Sequence, residues 1–425
     1  PARVSWGPLQ PAQFGARNAP APDALHQASH LLLARNGLPA RWAGRSRFVV
    51  LDTHFGLGHH FLATWAAWQQ DGQRCDRLWY VAIEPRPSNR TDLALAHATS
   101  TLPGQAAALL QHWPPLTPDM HLLTFDGGRV QLLLAFGDIS KVLPDLVAQV
   151  DAVYGDGLAP ERDPARWDGW RLRQLPRLCA PGATLATSSV AQALQQGLSS
   201  AGFSVQTAAG NGSQPPVTVA HFAPRFSTTA PPGRQALAGV QRVAVVGAGL
   251  AGCAVAAALA QRGVAVQLFD RRAGPAQETS GNAGGLFHGV AHAQDGAHAR
   301  WLRAAALHTA RTLRPLLAQG SVVGAVDGLL RGEQTLSPAA MQQLLQALAL
   351  PPDYLQLAPW PGPGPARTAW HYASGGWVAP ASLCAAWLQQ PGIHSHWQLP
   401  VQQLQRGAHG WQVLDEGGHV LAEAD

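Results

Sequence analysis

The chain has 425 residues, 46% of them hydrophobic and 13% charged, too long for one ordinary core and suited to two domains. That balance excludes a disordered chain, and the 44 glycines and 34 prolines predict many turns. The net charge of +5 is almost all arginine, with Lys141 the only lysine and no basic tail, so it permits a polyanionic partner such as RNA without requiring one.

The N-terminal "PARVSWGPLQPAQFG" lacks the basic-then-apolar pattern of a leader. From residue 48 to 206, short apolar runs alternate with helical spacing. "FVVLD" (48–52), "LWYVAIE" (78–84), "QLLLAFGD" (131–138), "DAVYGDG" (151–157) and "ATLATSS" (183–189) are predicted strands. "FLATWAAWQQ", "RTDLALAHATSTL" and "VAQALQQGLSSAG" are predicted helices between them. Alternation of this kind predicts a mostly parallel sheet covered on both faces. Residues 207–240 are rich in Pro, Gly, Ser and Thr and are expected to be a ragged last strand and then a linker.

The loop after the first strand, "THFGLGHH", carries three histidines. His54, His59 and His60 lack the spacing of a metal site, and the adjacent His59 and His60 point different ways, so no metal is expected. Strand, Asp52, Gly56, Gly58 and helix in that order resemble the start of a class I methyltransferase, which binds S-adenosylmethionine at the carboxyl ends of a parallel sheet. That resemblance implies that Glu84 holds the ribose hydroxyls, that Asp138 lies beside the adenine, and that Asp156 lies near the reacting methyl. Asp156 is the candidate catalytic residue. With a reference pKa of about 3.9 it is a weak base, so orienting the amine is its larger expected effect.

A second strand–loop–helix–strand unit begins near residue 242 with "VAVVGAGLAGCAVAAALAQRGVAVQLFD". It is apolar enough to imitate a membrane span, but its glycine spacing assigns it to dinucleotide binding. Gly247 permits the tight turn, Gly249 lets the backbone approach a pyrophosphate, and Gly252 lets helix and strand pack closely. Asp270 is expected to accept hydrogen bonds from ribose hydroxyls. The small polar run from Ser280 through Asn282 to Gly285 would let backbone come close to a flavin. This arrangement resembles the D-amino-acid-oxidase-like flavoproteins, and "YASGGWVAPASLCAAWL" (372–388) is similar to their substrate-domain segment. The four cysteines are far apart in sequence and form no CxxC, so buried free thiols are expected.

The ordered series "NGLPARW", "FGLG", "IEPRPSNRTDLALAH", "FGDISKVLPDL", "VDAVYGDGLAPERDPARW", "PGATLATSS", "TSGNAGGL" and "YASGGWVAP" resembles the MnmC family, the bifunctional tRNA 5-methylaminomethyl-2-thiouridine biosynthesis proteins. The resemblance covers roughly residues 30 to 425. It implies an α/β fold: a class I, Rossmann-like methyltransferase domain over 1–225, a linker over 226–240, and a partial FAD-binding Rossmann domain over 241–425. It also implies S-adenosylmethionine and FAD as cofactors, a tRNA wobble uridine as substrate, a cytoplasmic location, and neither DNA nor membrane as partner. In the implied reaction sequence, the flavin domain removes the carboxymethyl group from 5-carboxymethylaminomethyl-(2-thio)uridine, and the methyltransferase domain then methylates the exposed amine.

Against the family's loop, His54 replaces a glycine, His59 an apolar residue and His60 an asparagine. Histidine is poorly suited to positive φ, so the loop is expected to have shifted or lost affinity. Asp156-Gly157-Leu158 and Asp163-Pro164 also depart from the pattern, as do "GARNAPAP" and "AAGNGSQPPV". The chain ends on a hairpin, "WQVLDEGGHVLAEAD", and lacks an initiator methionine; a truncation missing about a third of the protein is expected. Two other classes stay open on sequence alone. One is a stand-alone FAD-dependent amine or amino-acid oxidase with a non-catalytic first domain, and the other is a non-catalytic tRNA-binding relic.

Overall fold

The computed structural model describes residues 9, 31–156, 169–210, 215–224, 239–363, 367–407 and 410–425. The chain divides into two compact units, one of residues 1–229, 290–304 and 334–356, the other of 230–289, 305–333 and 357–425.

The first unit is built on an eight-stranded sheet. Its elements are β1 (Arg47–Asp52), α1 (His59–Gln70), β2 (Arg77–Glu84), α2 (Arg90–Ala96), α3 (Pro103–His112), β3 (Met120–Phe125), β4 (Val130–Phe136), α4 (Ile139–Asp145), β5 (Val150–Tyr154), β6 (Cys179–Thr187), α5 (Gln192–Ser200), β7 (Phe203–Ala208) and β8 (Val217–Phe222). The strand order is β3-β4-β2-β1-β5-β6-β8-β7. The five central strands run parallel, while β3 and β8 run against their neighbours.

The central strands are continuous apolar runs because both faces are covered. Alternate residues divide between two cores. Phe48, Val50, Tyr80, Leu132, Leu134 and Tyr154 pack with Phe61, Trp65 and Trp68 of α1. Val49, Leu51, Val81, Ile83 and Val153 pack with Ile139 and Val142 of α4 and Leu194 and Leu198 of α5. The chain leaves β1 toward β2 on one side and reaches β5 on the other. The carboxyl ends of β1 and β5 therefore flank a topological switch point, where such sheets form a crevice.

Several expected boundaries need correction. The stretch 90–102 is not one helix: α2 ends at Ala96, and Pro103, with no N–H to lose, opens α3. Residues 207–240 hold more than a ragged strand, because β8 inserts between β6 and β7 as an antiparallel strand. The third strand stops at Phe136 and the fourth at Tyr154, while β6 starts earlier than expected, at Cys179. Gly157, Leu158, Asp163, Pro164 and "GARNAPAP" lie outside the described residues.

This unit also buries an ion cluster. Arg303, fully buried in the helix Ala297–Ala318, donates from Nε to Asp119 and from Nη2 to both oxygens of Asp295 at 2.8 and 3.0 Å. The Thr117 hydroxyl donates to the same Asp119 oxygen at 2.9 Å.

In the second unit, β9 (Arg242–Val246), α6 (Leu250–Ala260) and β10 (Ala265–Phe269) form a strand–helix–strand element. Parallel pairing runs from β9 to β10 and on to Ile393–His396. At the C-terminus Gly410–Leu414 pairs antiparallel with Val420–Ala424, as the hairpin reading expected, and Gln403–Gly407 adds a third strand. Cys253 and Cys384 are both buried free thiols, and the fold brings these sequence-distant groups into one core cluster. Among the described residues, no helix is long and apolar enough to cross a membrane.

Candidate functional site

In the first unit, β1 delivers Asp52 fully buried at its tip, and the neighbouring β2 delivers Glu84. The connecting loop turns at Gly56 (φ 56°) and Gly58 (φ 80°), the latter being the N-cap of α1. A Cβ at Gly58 would lie 2.7 Å from the Phe55 ring, so both backbone hand and space require glycine there. His54, His59 and His60 are not left-handed. No histidine has to take positive φ in this loop: the glycines that remain take the left-handed positions.

The loop folds back so that its amides reach the carboxylates. His54 N donates to Asp52 Oδ1 at 3.0 Å, and Tyr80 Oη donates to Asp52 Oδ2 at 2.7 Å. Gly56 N donates to Glu84 Oε2 at 2.7 Å and Arg86 N to Oε1 at 2.8 Å, while His54 Nδ1 lies 3.1 Å from Oε2. Burial alone would raise the Glu84 carboxyl, but His54 and these two amides overcome it and hold it below the usual carboxylate range.

Asp156 follows β5 by two residues and meets the same crevice. His60, the second residue of α1, bridges the two strand ends: its Nε2 is 3.2 Å from Asp156 Oδ2 and its Nδ1 is 3.5 Å from Asp52 Oδ2. Burial works against the imidazolium, but Asp156 and Asp52 outweigh it and raise His60 to about 10. Burial likewise opposes the Asp156 carboxylate, and His60, with the Ser188 amide and hydroxyl, holds it low. His59 turns the other way, onto the His97 ring at 5.0 Å, and burial with its histidine neighbours pushes it down to about 4. His97 bonds the Leu57 carbonyl at 2.8 Å and so braces the loop.

Asp52, Gly56, Gly58, Glu84 and Asp156 are therefore brought together. Asp138 stands at the same sheet edge but is exposed, accepting from Ser140 N at 2.8 Å as the cap of α4. The bridging position of His60 and the Tyr80 hydroxyl under Asp52 were not foreseen. The only sequence signal was the histidine-rich loop itself.

In the second unit, Gly247 (φ 102°) turns the chain out of β9, and Gly249 caps α6. A Cβ on Gly252 would lie 1.8 Å from the Gly247 carbonyl oxygen, so only glycine lets α6 begin this close beneath the loop. Asp270 accepts from Ala248 N at 2.7 Å and Arg272 N at 2.8 Å. Ser280 Oγ accepts from Leu250 N at 3.1 Å, and Asn282 Nδ2 donates to the Thr279 carbonyl at 3.2 Å. Gly247, Gly249, Gly252, Asp270 and Ser280 thus gather around the start of α6, with Asn282 next to them in the chain.

Both sites suit nucleotide-bearing cofactors. A carboxylate offers about four acceptor positions. Two on Asp270 are taken by amides, leaving capacity for a ribose diol. On Glu84 two amides and His54 occupy three, leaving less room for one. Apart from the Leu250 amide, which Ser280 holds, the glycine-rich start of α6 offers helix-N-terminal backbone N–H groups of the kind that bind a pyrophosphate.

The two sites define the class: an α/β protein pairing a methyltransferase-type crevice with a flavin-type dinucleotide fold. A family model for S-adenosyl-L-methionine-dependent methyltransferases matches residues 101–223, and one for FAD dependent oxidoreductases matches residues 242–425. The chain is 48% identical to the tRNA 5-methylaminomethyl-2-thiouridine biosynthesis bifunctional protein MnmC of Methylibium petroleiphilum, over 100% of this chain and 67% of that one. It is 41% identical to the protein of the same name from Thiobacillus denitrificans, covering 100% of this chain and 69% of that one. For the Cupriavidus necator protein of that name the identity is 41%, over 94% and 63%. The chain belongs to the MnmC family, and it spans about two thirds of the length of these relatives. It thus combines a methyltransferase that uses S-adenosylmethionine with an oxidoreductase that uses FAD.

Proposed function

We propose that the protein acts on the wobble uridine of tRNA in two steps. The oxidoreductase part removes the carboxymethyl group from 5-carboxymethylaminomethyl-(2-thio)uridine, and the methyltransferase part N-methylates the resulting 5-aminomethyl group. The observation that carries this is the 48% identity over the whole chain to a protein named for that modification. When bound, FAD supplies a two-electron oxidant for the C–N bond and S-adenosylmethionine an electrophilic methyl group.

The chain's own residues bind, orient and exclude water. Glu84 holds the ribose of the methyl donor, Gly56 and Gly58 let the backbone close around it, and Asp52 fixes the loop through the His54 amide. Asp138 lies at the adenine end. Asp156 accepts a hydrogen bond from the substrate amine and aims its lone pair at the methyl carbon, an effect of orientation more than of basicity. In the second unit, the start of α6 takes the pyrophosphate, Asp270 the ribose, and the Ser280–Asn282 run lies against the flavin. In this reading the two domains are residues 1–225 and 241–425, the linker is 226–240, and the protein works in the cytoplasm.

The test uses the full-length protein with labelled S-adenosylmethionine and tRNA from cells lacking this modification. Methyl incorporation at the wobble position, with flavin absorbance in the purified protein, is the expected result. Flavin without methyl transfer would instead favour an oxidase on a non-catalytic platform, and neither signal would leave a tRNA-binding relic.

A further inference from the structure

We propose that His60 is a positioning residue that lowers the pKa of the methyl-accepting amine, by offsetting one of the two negative charges of the Asp52–Asp156 carboxylate pair from between. This rests on the methyltransferase reading above. The geometry is a three-member chain across the crevice: Asp52 at the end of β1, His60 on α1 and Asp156 beyond β5, with His60 3.5 and 3.2 Å from its two partners. The His60 side chain is 14% exposed and Asp52 is 0% exposed, so solvent does little to screen that contact; Asp156 is 23% exposed.

The groups around His60 come from every neighbouring element. Asp52 is on β1. On β2, Tyr80 donates its hydroxyl to Asp52. On β5, Tyr154 meets the His60 ring edge-on at 6.1 Å and shares a 3.1 Å hydrogen bond with Thr64 of α1. Asp156 follows β5, and His59 sits beside His60 on α1, turned onto His97. His54, in the loop, faces Glu84 instead. Among the described residues, Asp52 and Asp156 are the carboxylates that contact His60, and the adjacent His59 is pushed down and held neutral. The strong upward shift of His60 agrees with this arrangement.

The consequence follows from charge. In the transfer, the nitrogen lone pair forms the new N–C bond, the S–C bond breaks with its electrons going to sulfur, and the methylated ammonium then releases a proton. Only the neutral amine has that lone pair, and an aliphatic amine is mostly ammonium at neutral pH. Two uncompensated carboxylates would favour the ammonium further. His60 contacts Asp156 through Oδ2, which leaves acceptor capacity on Oδ1 for an amine N–H. A unit charge about 5 Å from that amine, at an effective dielectric of about 20, shifts its pKa by about two units. The imidazolium pushes it down. Asparagine at this position would offer hydrogen bonds without the charge.

The experiment compares full-length wild type with His60→Asn. The first readout needs no cofactor: nitrogen NMR of the imidazoles, with His60 assigned by its loss in the variant. The His60 ring is expected to stay protonated past pH 8 in wild type and to titrate in the ordinary histidine range in an Asp52→Asn/Asp156→Asn variant. Titration of wild-type His60 near 6.5 overturns the proposal. The second readout is calorimetry in two buffers of different ionisation enthalpy. Protein saturated with S-adenosylhomocysteine is titrated with an anticodon stem-loop bearing 5-aminomethyluridine. Wild type is expected to release more protons per stem-loop bound than His60→Asn; equal release overturns the proposal. The methyl-transfer pH profile of His60→Asn should move about two units alkaline and recover at high pH. A merely structural defect would lower transfer at every pH without moving the profile, and that result also overturns it. Wild type without methyl transfer at any pH would refute the two-step function instead, with the NMR and proton count still judging His60.

Discussion

Substituting Gly252 by alanine tests the oxidoreductase site most directly. The added Cβ would stand 1.8 Å from the Gly247 carbonyl oxygen and 3.0 Å from its carbon. Ordinary contact begins near 3.4 Å, so a gap of about 1.6 Å must open between two backbone segments that have no side chain to rotate away. Overpacking of this kind costs about 1–3 kcal/mol. Its effect on the cofactor should be larger. Moving the start of α6 by more than an ångström breaks hydrogen bonds to a pyrophosphate, each about 1.5–3 kcal/mol, so loss of one weakens FAD by roughly 10-fold or more and loss of two by roughly 10²-fold or more. Gly274→Ala is the control, because its Cβ would meet only the end of the Gln277 side chain, at 3.3 Å. The assay is flavin-to-protein absorbance, a dissociation constant from flavin fluorescence, and a melting curve for each full-length variant. If Gly252→Ala keeps wild-type flavin content, affinity and melting temperature, the assignment of this loop to FAD is refuted.

Three further outcomes are expected. Asp156→Asn should lower methyl transfer to tRNA by about 10²-fold or more while leaving S-adenosylmethionine affinity within a few fold, as rate assays and calorimetry would report. The Glu84 carboxyl lies below its unfolded value, so its contribution to stability is present above about pH 4.3 and is lost as pH falls through the folded value. His54→Ala should therefore flatten the acid limb of a stability-against-pH curve, and by freeing an acceptor on Glu84 it should tighten S-adenosylmethionine binding severalfold. Arg303→Ala should destabilise the first unit by about 3–5 kcal/mol in urea melts, since it strands Asp119 and Asp295 as buried anions. Adding Asp119→Asn and Asp295→Asn should recover much of that loss.

Much of the architecture was legible because it rests on local pattern. The apolar runs carrying Asp52, Glu84 and Asp156 became adjacent parallel strands, with Asp52 and Glu84 at two strand tips and Asp156 just past the third. The glycine series from 247 to 252 predicted close packing of helix and strand, and a Cβ added at Gly252 would fall 1.8 Å from the Gly247 carbonyl oxygen and 3.5 Å from the Val245 side chain of β9. What local pattern could not carry was set by register and by distance along the chain. Which way His60 faces depends on where α1 begins, and that depends on the backbone hand of Gly56 and Gly58. The insertion of β8 beside β6 is a pairing choice between strands of similar composition. The histidines looked like strain because the pattern assigned left-handed backbone to position 54, whereas the turn needs it only at 56 and 58. Arg303 and Asp119 are 184 positions apart, and nothing near either one announces the other.

That last pair bears on how the protein is handled. Cutting the gene at the proline-rich stretch before β9, the natural place to express the methyltransferase half alone, would leave behind the guanidinium that Asp119 requires. A recombinant first half would then carry a naked acid in its interior and lack residues 290–304 and 334–356, which belong to the same compact unit in the intact chain. Poor solubility of such a piece would report on where the scissors fell, not on whether the enzyme half is competent.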